Sequence, residues 1–214
     1  DETMILGLLK VFSSVASIKK GSIIHDLIVR CSQESVTVFG NSLVDMYAKC
    51  GSIYEATKVF ESLLSKDVIT WGAMISAFAR HGHYTKVREY VERMQGEGLR
   101  PTDIIFINIL AACSHGGFLD GGHDSFTSMR DEHGVGPNIE HYSGMADLLS
   151  RVGHLEKAKD MLYSMPSAPD LFGLTSLLTS CKTYGDIGMG TQCHAQVFEL
   201  DANYDSREMT METI

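Results

Sequence analysis

His154-Leu155-Glu156 spells H-x-E, the opening of a zinc deaminase site in which the histidine binds metal and the glutamate moves the proton. That chemistry also needs a C-x-x-C pair to hold the zinc. The five cysteines, Cys31, Cys50, Cys113, Cys181 and Cys193, contain no such pair. His81, His83 and His115 have no thiol or carboxylate at ligand spacing. There is no phosphate-binding glycine loop and no nucleophile motif. The sequence therefore predicts no catalytic residue, no metal site and no cofactor. Most of the cysteines stand among apolar residues, where a free thiol behaves as a small core side chain. Their odd number with no paired spacing suggests a reducing compartment.

The polar residues that remain are placed by a repeat. An apolar helix of about a dozen residues, then a basic or polar pair, then glycine recurs as AKCG at Gly51, ARHG at Gly82, SHGG at Gly117, SRVG at Gly153 and KTYG at Gly185. The steps between these glycines are 31, 35, 36 and 32 residues. Each is followed by a second helical run, and His154-Leu155-Glu156 simply occupies the start of one. Five residues past each glycine stands Ala56, Val87, Gly122, Ala158 or Gly190, mostly small, as close helix contact requires. The first 36 residues fit the same template, with Gly21 at the small position and Ala16 in place of the glycine. A glycine that can turn left-handed ends each first helix. A lone hairpin cannot bury both apolar faces, so neighbours must stack. The expected fold is an all-α, right-handed superhelical solenoid of six hairpins, spanning 2–36, 37–67, 68–102, 103–138, 139–170 and 171–204. A loose polar tail is expected over 205–214.

At 44% hydrophobic and 21% charged, the chain can bury a sizeable core. Its longest apolar stretch, Ile104 to Cys113, is interrupted by Asn108 and is about half the length of a bilayer crossing, so no membrane partner is expected. The chain begins at Asp1 with no signal-like segment and reads as a stretch of a longer protein.

Among two-helix repeats of this length, the residues choose one kind. NSLVDMYAKCGSIYEATKVF, DVITWGAMISAFARHG, ILAACSHGG and EHYSGMADLLSRVGHLEKAKDML closely resemble the pentatricopeptide repeat family. The alternation of longer units (2–36, 103–138) with shorter ones (37–67, 139–170) resembles its plant subclass of mixed long and short repeats. LLTSCKTYGDIGMGTQCHAQVFELDANY resembles the E motif that follows those repeats in organelle RNA editing factors, with Leu174 where an aromatic is usual. The resemblance implies a plant RNA-binding protein of the mitochondrion or chloroplast. It would be a non-catalytic adaptor in C-to-U editing, supplying sequence recognition to a deaminase-bearing or other editing-factor protein in trans.

Numbered from the first residue of each unit, positions 2, 5, 9 and 13 form one stripe on the first helix, away from apolar contacts at 4, 7, 8 and 11. The stripe carries Val38, Asn41 and Lys49; then Ile69, Gly72 and Arg80; then Ile104, Ile107 and His115; then Glu140, Ser143 and Arg151. Apolar, small polar and basic in that order suit single-stranded RNA. Val38, Ile69 and Ile104 would pack on base faces, the polar residue would reach a base edge, and Lys49, Arg80 and Arg151 would meet phosphates. Basic residues also favour helix C-termini on their own account, and the stripe alone leaves both readings open.

The resemblance further implies that a unit's fifth and last residues choose its base. The pairs are Leu6 with Val36, Asn41 with Asp67, Gly72 with Thr102, Ile107 with Asn138, and Ser143 with Asp170. Asn41/Asp67 resembles a uridine reader and Ser143/Asp170 a guanosine reader. Leu6, Gly72 and Ile107 are not polar, so their units are expected to read weakly or nothing. A net charge of −9 opposes nucleic-acid binding, although many acids fall in the second helices. The alternative is a tetratricopeptide-like protein scaffold, or a degenerate array without RNA specificity.

Overall fold

Gly51, Gly82, Gly117, Gly153 and Gly185 all have positive φ, between 68° and 86°. Each stands between two antiparallel helices, where a residue with a Cβ would be strained. The computed structural model describes residues 2–14, 17–30 and 37–211. Among these residues there are twelve helices and no strand. The helices pair as α1 (Glu2–Ser14) with α2 (Ile18–Arg30), α3 (Thr37–Lys49) with α4 (Ile53–Ser62), and α5 (Val68–Arg80) with α6 (Tyr84–Gly96). They continue as α7 (Asp103–Gly116) with α8 (Leu119–Asp131), α9 (Ile139–Arg151) with α10 (Leu155–Tyr163), and α11 (Leu171–Tyr184) with α12 (Ile187–Met211). Ala16, Cys31 and Val36 lie outside the described residues.

The chain divides into two compact units, residues 1–112 and 113–214. In the first, α3 packs between α1 and α5, each hairpin laying its first helix against the next. Leu43, Val44, Tyr47, Trp71, Met74, Ile75 and Phe78, from positions 4, 7, 8 and 11, are all buried. Trp71 is fully buried, against Phe60 (centroids 4.8 Å) and Tyr90 (5.8 Å). Arg93 covers this cluster, 5.0 Å from the Tyr90 ring and 5.3 Å from the Trp71 ring, and reaches Glu61 at 3.0 Å.

In the second unit α9 packs against α8, α10 and α11, and α11 against α12. Met145, Ala146, Leu148 and Leu149 of α9 and Leu174 and Leu177 of α11 form the core. Where a loose tail is expected from Asp205, α12 instead runs on to Met211. No glycine or proline follows Gly190 before Met211, so nothing in the sequence breaks the helix there.

Candidate nucleic-acid interface

Asp67 is the N-cap of α5. Its carboxylate accepts the Thr70 N–H at 2.8 Å, while its own N–H donates to the Thr70 hydroxyl at 3.1 Å. The same carboxylate accepts from Asn41 Nδ2 at 3.2 and 3.3 Å. Asn41 Oδ1 faces the Thr70 hydroxyl at 2.5 Å. A carboxylate only accepts, so these contacts fix which way the Asn41 amide points. One amide N–H and one lone pair remain for a ligand. Asp67 is exposed; what desolvation it has would raise its pKa, yet the bonds from Thr70 and Asn41 hold it below the usual carboxylate range.

Either side of Asn41 on the stripe stand Val38 and Ile69, 51% and 70% exposed, with Ile104 at 62% one hairpin on. Isolated water-facing β-branched residues at one repeated register make flat apolar platforms. Gly72 is half-buried with only Ile105 Cδ1 near its missing Cβ, at 3.7 Å, and Thr102 precedes α7. Ile107 is half-buried on α7. Asn138, in the other unit, caps α9 through a reciprocal pair with His141.

Ser143 and Asp170 also meet: the Ser143 hydroxyl donates to Asp170 Oδ1 at 2.7 Å, and Asp170 caps α11 by accepting the Gly173 N–H at 2.8 Å. The surroundings differ from those of Asn41, because Ser143 is only 1% exposed. A Cβ on Gly173 would lie 3.1 Å from the Ser143 oxygen, so the glycine lets α11 close over it.

The cations are exposed, but two are engaged on their own helices. Lys49 Nζ lies 2.7 Å from Asp45, and Arg151 Nε lies 3.0 Å from Asp147. Arg80 is exposed, with Ser76 where those helices have aspartate.

His154 stands exposed before α10 and Glu156 points outward in its first turn. Among the described residues no three His, Cys, Asp or Glu side chains converge as metal ligands would, and no helix is long and apolar enough to cross a membrane. Burial pushes the Cys113 thiol up to about 12 and the Cys181 thiol to about 11, far from reactive thiolates.

Comparison with known proteins gives the repeat its name. The sequence pattern of the PPR repeat matches residues 41–68, 69–99 and 140–168. Over those residues the chain is similar to the PPR repeat. It is 38% identical, over 89% of its length, to a mitochondrial pentatricopeptide repeat-containing protein of Arabidopsis thaliana, of which it covers 29%. It is 36% identical over 92% of its length to a chloroplastic one from the same plant, covering 23%. The chain thus spans between about a fifth and two fifths of the length of such relatives. Among solved structures it is similar to the pentatricopeptide repeat protein PPR10 from maize, at TM-score 0.70 and 15% identity, over 97% of this chain and 31% of that one. It is also similar to PPR10 in complex with an 18-nt psaJ RNA element, at TM-score 0.64 and 14% identity, over 90% and 34%. These likenesses show the fold, a solenoid of helical hairpins.

Position 9 belongs to the stripe, but the residues there were not singled out from the sequence. Asp45 and Asp147 both stand there, four residues before the cation, a spacing that pairs side chains along a helix. Asp147 is buried and accepts from Ser114, Ser176 and Arg151. Asp45 repeats the arrangement more loosely, with Ser13 at 3.5 Å. Ser13 and Ser114 both occupy position 12 of the preceding repeat, so the pair of positions could have been found by aligning the units.

Proposed function

We propose that the chain binds single-stranded RNA, one nucleotide per hairpin, as the recognition part of a C-to-U editing adaptor in a plant mitochondrion or chloroplast. On this reading it belongs to the subclass of mixed long and short repeats, ends in an E-type hairpin, and recruits a deaminase in trans. The Asn41 amide, held by Asp67 and Thr70 beside exposed Val38 and Ile69, is the observation that carries the proposal. An amide with one free N–H and one free lone pair matches the donor and acceptor on the uracil edge. The RNA complex of PPR10 and the mitochondrial and chloroplastic relatives support the partner and the compartment.

Asn41/Asp67 reads uridine and Ser143/Asp170 guanosine. Gly72/Thr102 and Ile107/Asn138 lie between them, which gives a core of 5′-U-N-N-G with the RNA 5′ end toward the N-terminus. Threonine at 41 would still donate to Asp67, as Ser143 does to Asp170, so Asn41→Thr should keep its stability. It should move the first preference from uridine toward guanosine by about 1 kcal/mol. Competition binding with all four bases at that position, wild type against variant, checks this; identical rankings would remove the assignment. The scaffold reading draws on the burial of Ser143, the engaged Lys49 and Arg151, and the net charge. It takes over if neither protein binds RNA at low salt.

A further inference from the structure

None of the fifth-and-last residue pairs begins in the last hairpin, yet α11 borders an open groove of about 640 Å³. Phe172, Thr175, Thr179 and Thr183 follow at three- and four-residue steps and share one side of the helix, continuing the register of positions 2, 5, 9 and 13. Phe172 is 58% exposed. Arg151 lines the facing wall, its side chain 51% exposed.

The groove's charge departs from that of the chain as a whole. Against a net −9, α11 contains no aspartate or glutamate. The carboxylate that does line the groove, Asp147, is taken up by Ser114, Ser176 and Arg151. The threonine hydroxyls donate along the helix: Thr175 to the Leu171 carbonyl at 2.7 Å, Thr179 to Thr175 at 2.8 Å, Thr183 to Thr179 at 3.0 Å. Hydroxyls engaged in this way face the groove as acceptors. Ribose 2′-hydroxyls and base N–H groups are the donors a strand of RNA brings, and an exposed phenylalanine offers its face to a base.

We infer that this groove takes a nucleotide of single-stranded RNA, so that the E-type hairpin continues the RNA-binding stripe. The base packs on Phe172, Thr175 and Thr179 accept from the base edge and the ribose, and Arg151 meets the phosphate. The inference rests on the RNA reading above and adds a contact site to it.

The test places a photo-crosslinking benzoylphenylalanine at Phe172 in one full-length chain and at Ile69 in another, each mixed at low salt with a randomised single-stranded RNA pool. Crosslinks at both positions are expected. A crosslink at Ile69 alone overturns this inference and leaves the proposed function standing. A crosslink at Phe172 alone supports the groove and removes the central stripe. None at either position overturns both and points to a protein partner. In parallel, Thr179→Glu puts a carboxylate in the groove and should weaken binding of the same pool by about fivefold. Thr191→Glu, the same change at an exposed threonine of α12 that also donates to its own helix, should not. Matching thermal melts establish that both variants fold, and wild-type affinity for a folded Thr179→Glu chain also overturns the inference.

Discussion

One oxygen of Asp67 accepts from the Thr70 N–H and from Asn41 Nδ2, so a helix cap and the orientation of the Asn41 amide depend on the same carboxylate. An aspartate at the end of a repeat therefore has two causes, and capping alone would place one there. The family resemblance paired Asn41 with Asp67 and Ser143 with Asp170, whereas the exposure of each pair was not legible in the sequence. Burial of Ser143 depends on Gly173 in the next hairpin, a residue that carries no polar signal of its own. Desolvation would raise the Asp67 pKa, but its hydrogen bonds outweigh this and hold it below the ordinary carboxylate value. A depressed folded-state pKa adds stability that is present above the unfolded value, about 3.9, and is lost as pH falls through the folded one. Asp67→Ala should therefore lower stability by about 1 kcal/mol at pH 7. Part of that difference should be gone by about pH 3, below the unfolded value, where the unfolded chain has taken up the proton. Urea midpoints of the two proteins at both pH values measure this, and a gap that does not change with pH would show that the carboxylate's charge contributes nothing.

Between helices, the glycines and alanines of the second helices decide how closely hairpins close. A Cβ on Gly122 would fall 2.2 Å from Leu148 Cδ2, and one on Gly21 2.4 Å from Met46 Sδ, while Ala56 and Ala158 are fully buried at the same register. The hairpins were legible in the sequence because two local rules coincide: a left-handed glycine after the first helix and a small residue five positions later. The end of α12 was not, because a stretch without glycine or proline gives no stop signal and composition alone suggested a tail. Two glycines that helix propensity treats alike differ in what surrounds them. Gly122→Leu should cost about 1–3 kcal/mol by overpacking against Leu148. Gly7→Ala, in α1 with nothing within 4 Å of the added Cβ, should stabilise by about 0.5–1 kcal/mol. Denaturation of the two variants beside wild type gives both signs, and a neutral Gly122→Leu would mean that α8 and α9 can separate at no cost.

The net charge of the chain is −9, and many of its acids lie outside the stripe. Glu55, Glu61, Glu89 and Glu92 sit on α4 and α6 and pair there with Lys58, Arg93, Lys86 and Arg88. The stripe itself holds few cations, Lys49, Arg80 and Arg151, and two of them face an aspartate on the same helix. This distribution gives a quantitative expectation for RNA binding. Each phosphate neutralised on a single strand contributes about −0.7 to the slope of log affinity against log salt, so three contacts give about −2. Arg80→Ala should make the slope shallower by about 0.7, since Ser76 stands where Lys49 and Arg151 have an aspartate, while changing affinity to a similar degree for every sequence in the pool. Binding measured across a salt series for wild type and Arg80→Ala tests both numbers. A wild-type slope beyond about −4 would place the phosphate contacts on cations outside the stripe. Measurable binding with a slope near zero would show that the bases are held without phosphate contacts, by apolar packing on Val38, Ile69 and Ile104 and the Asn41 amide alone.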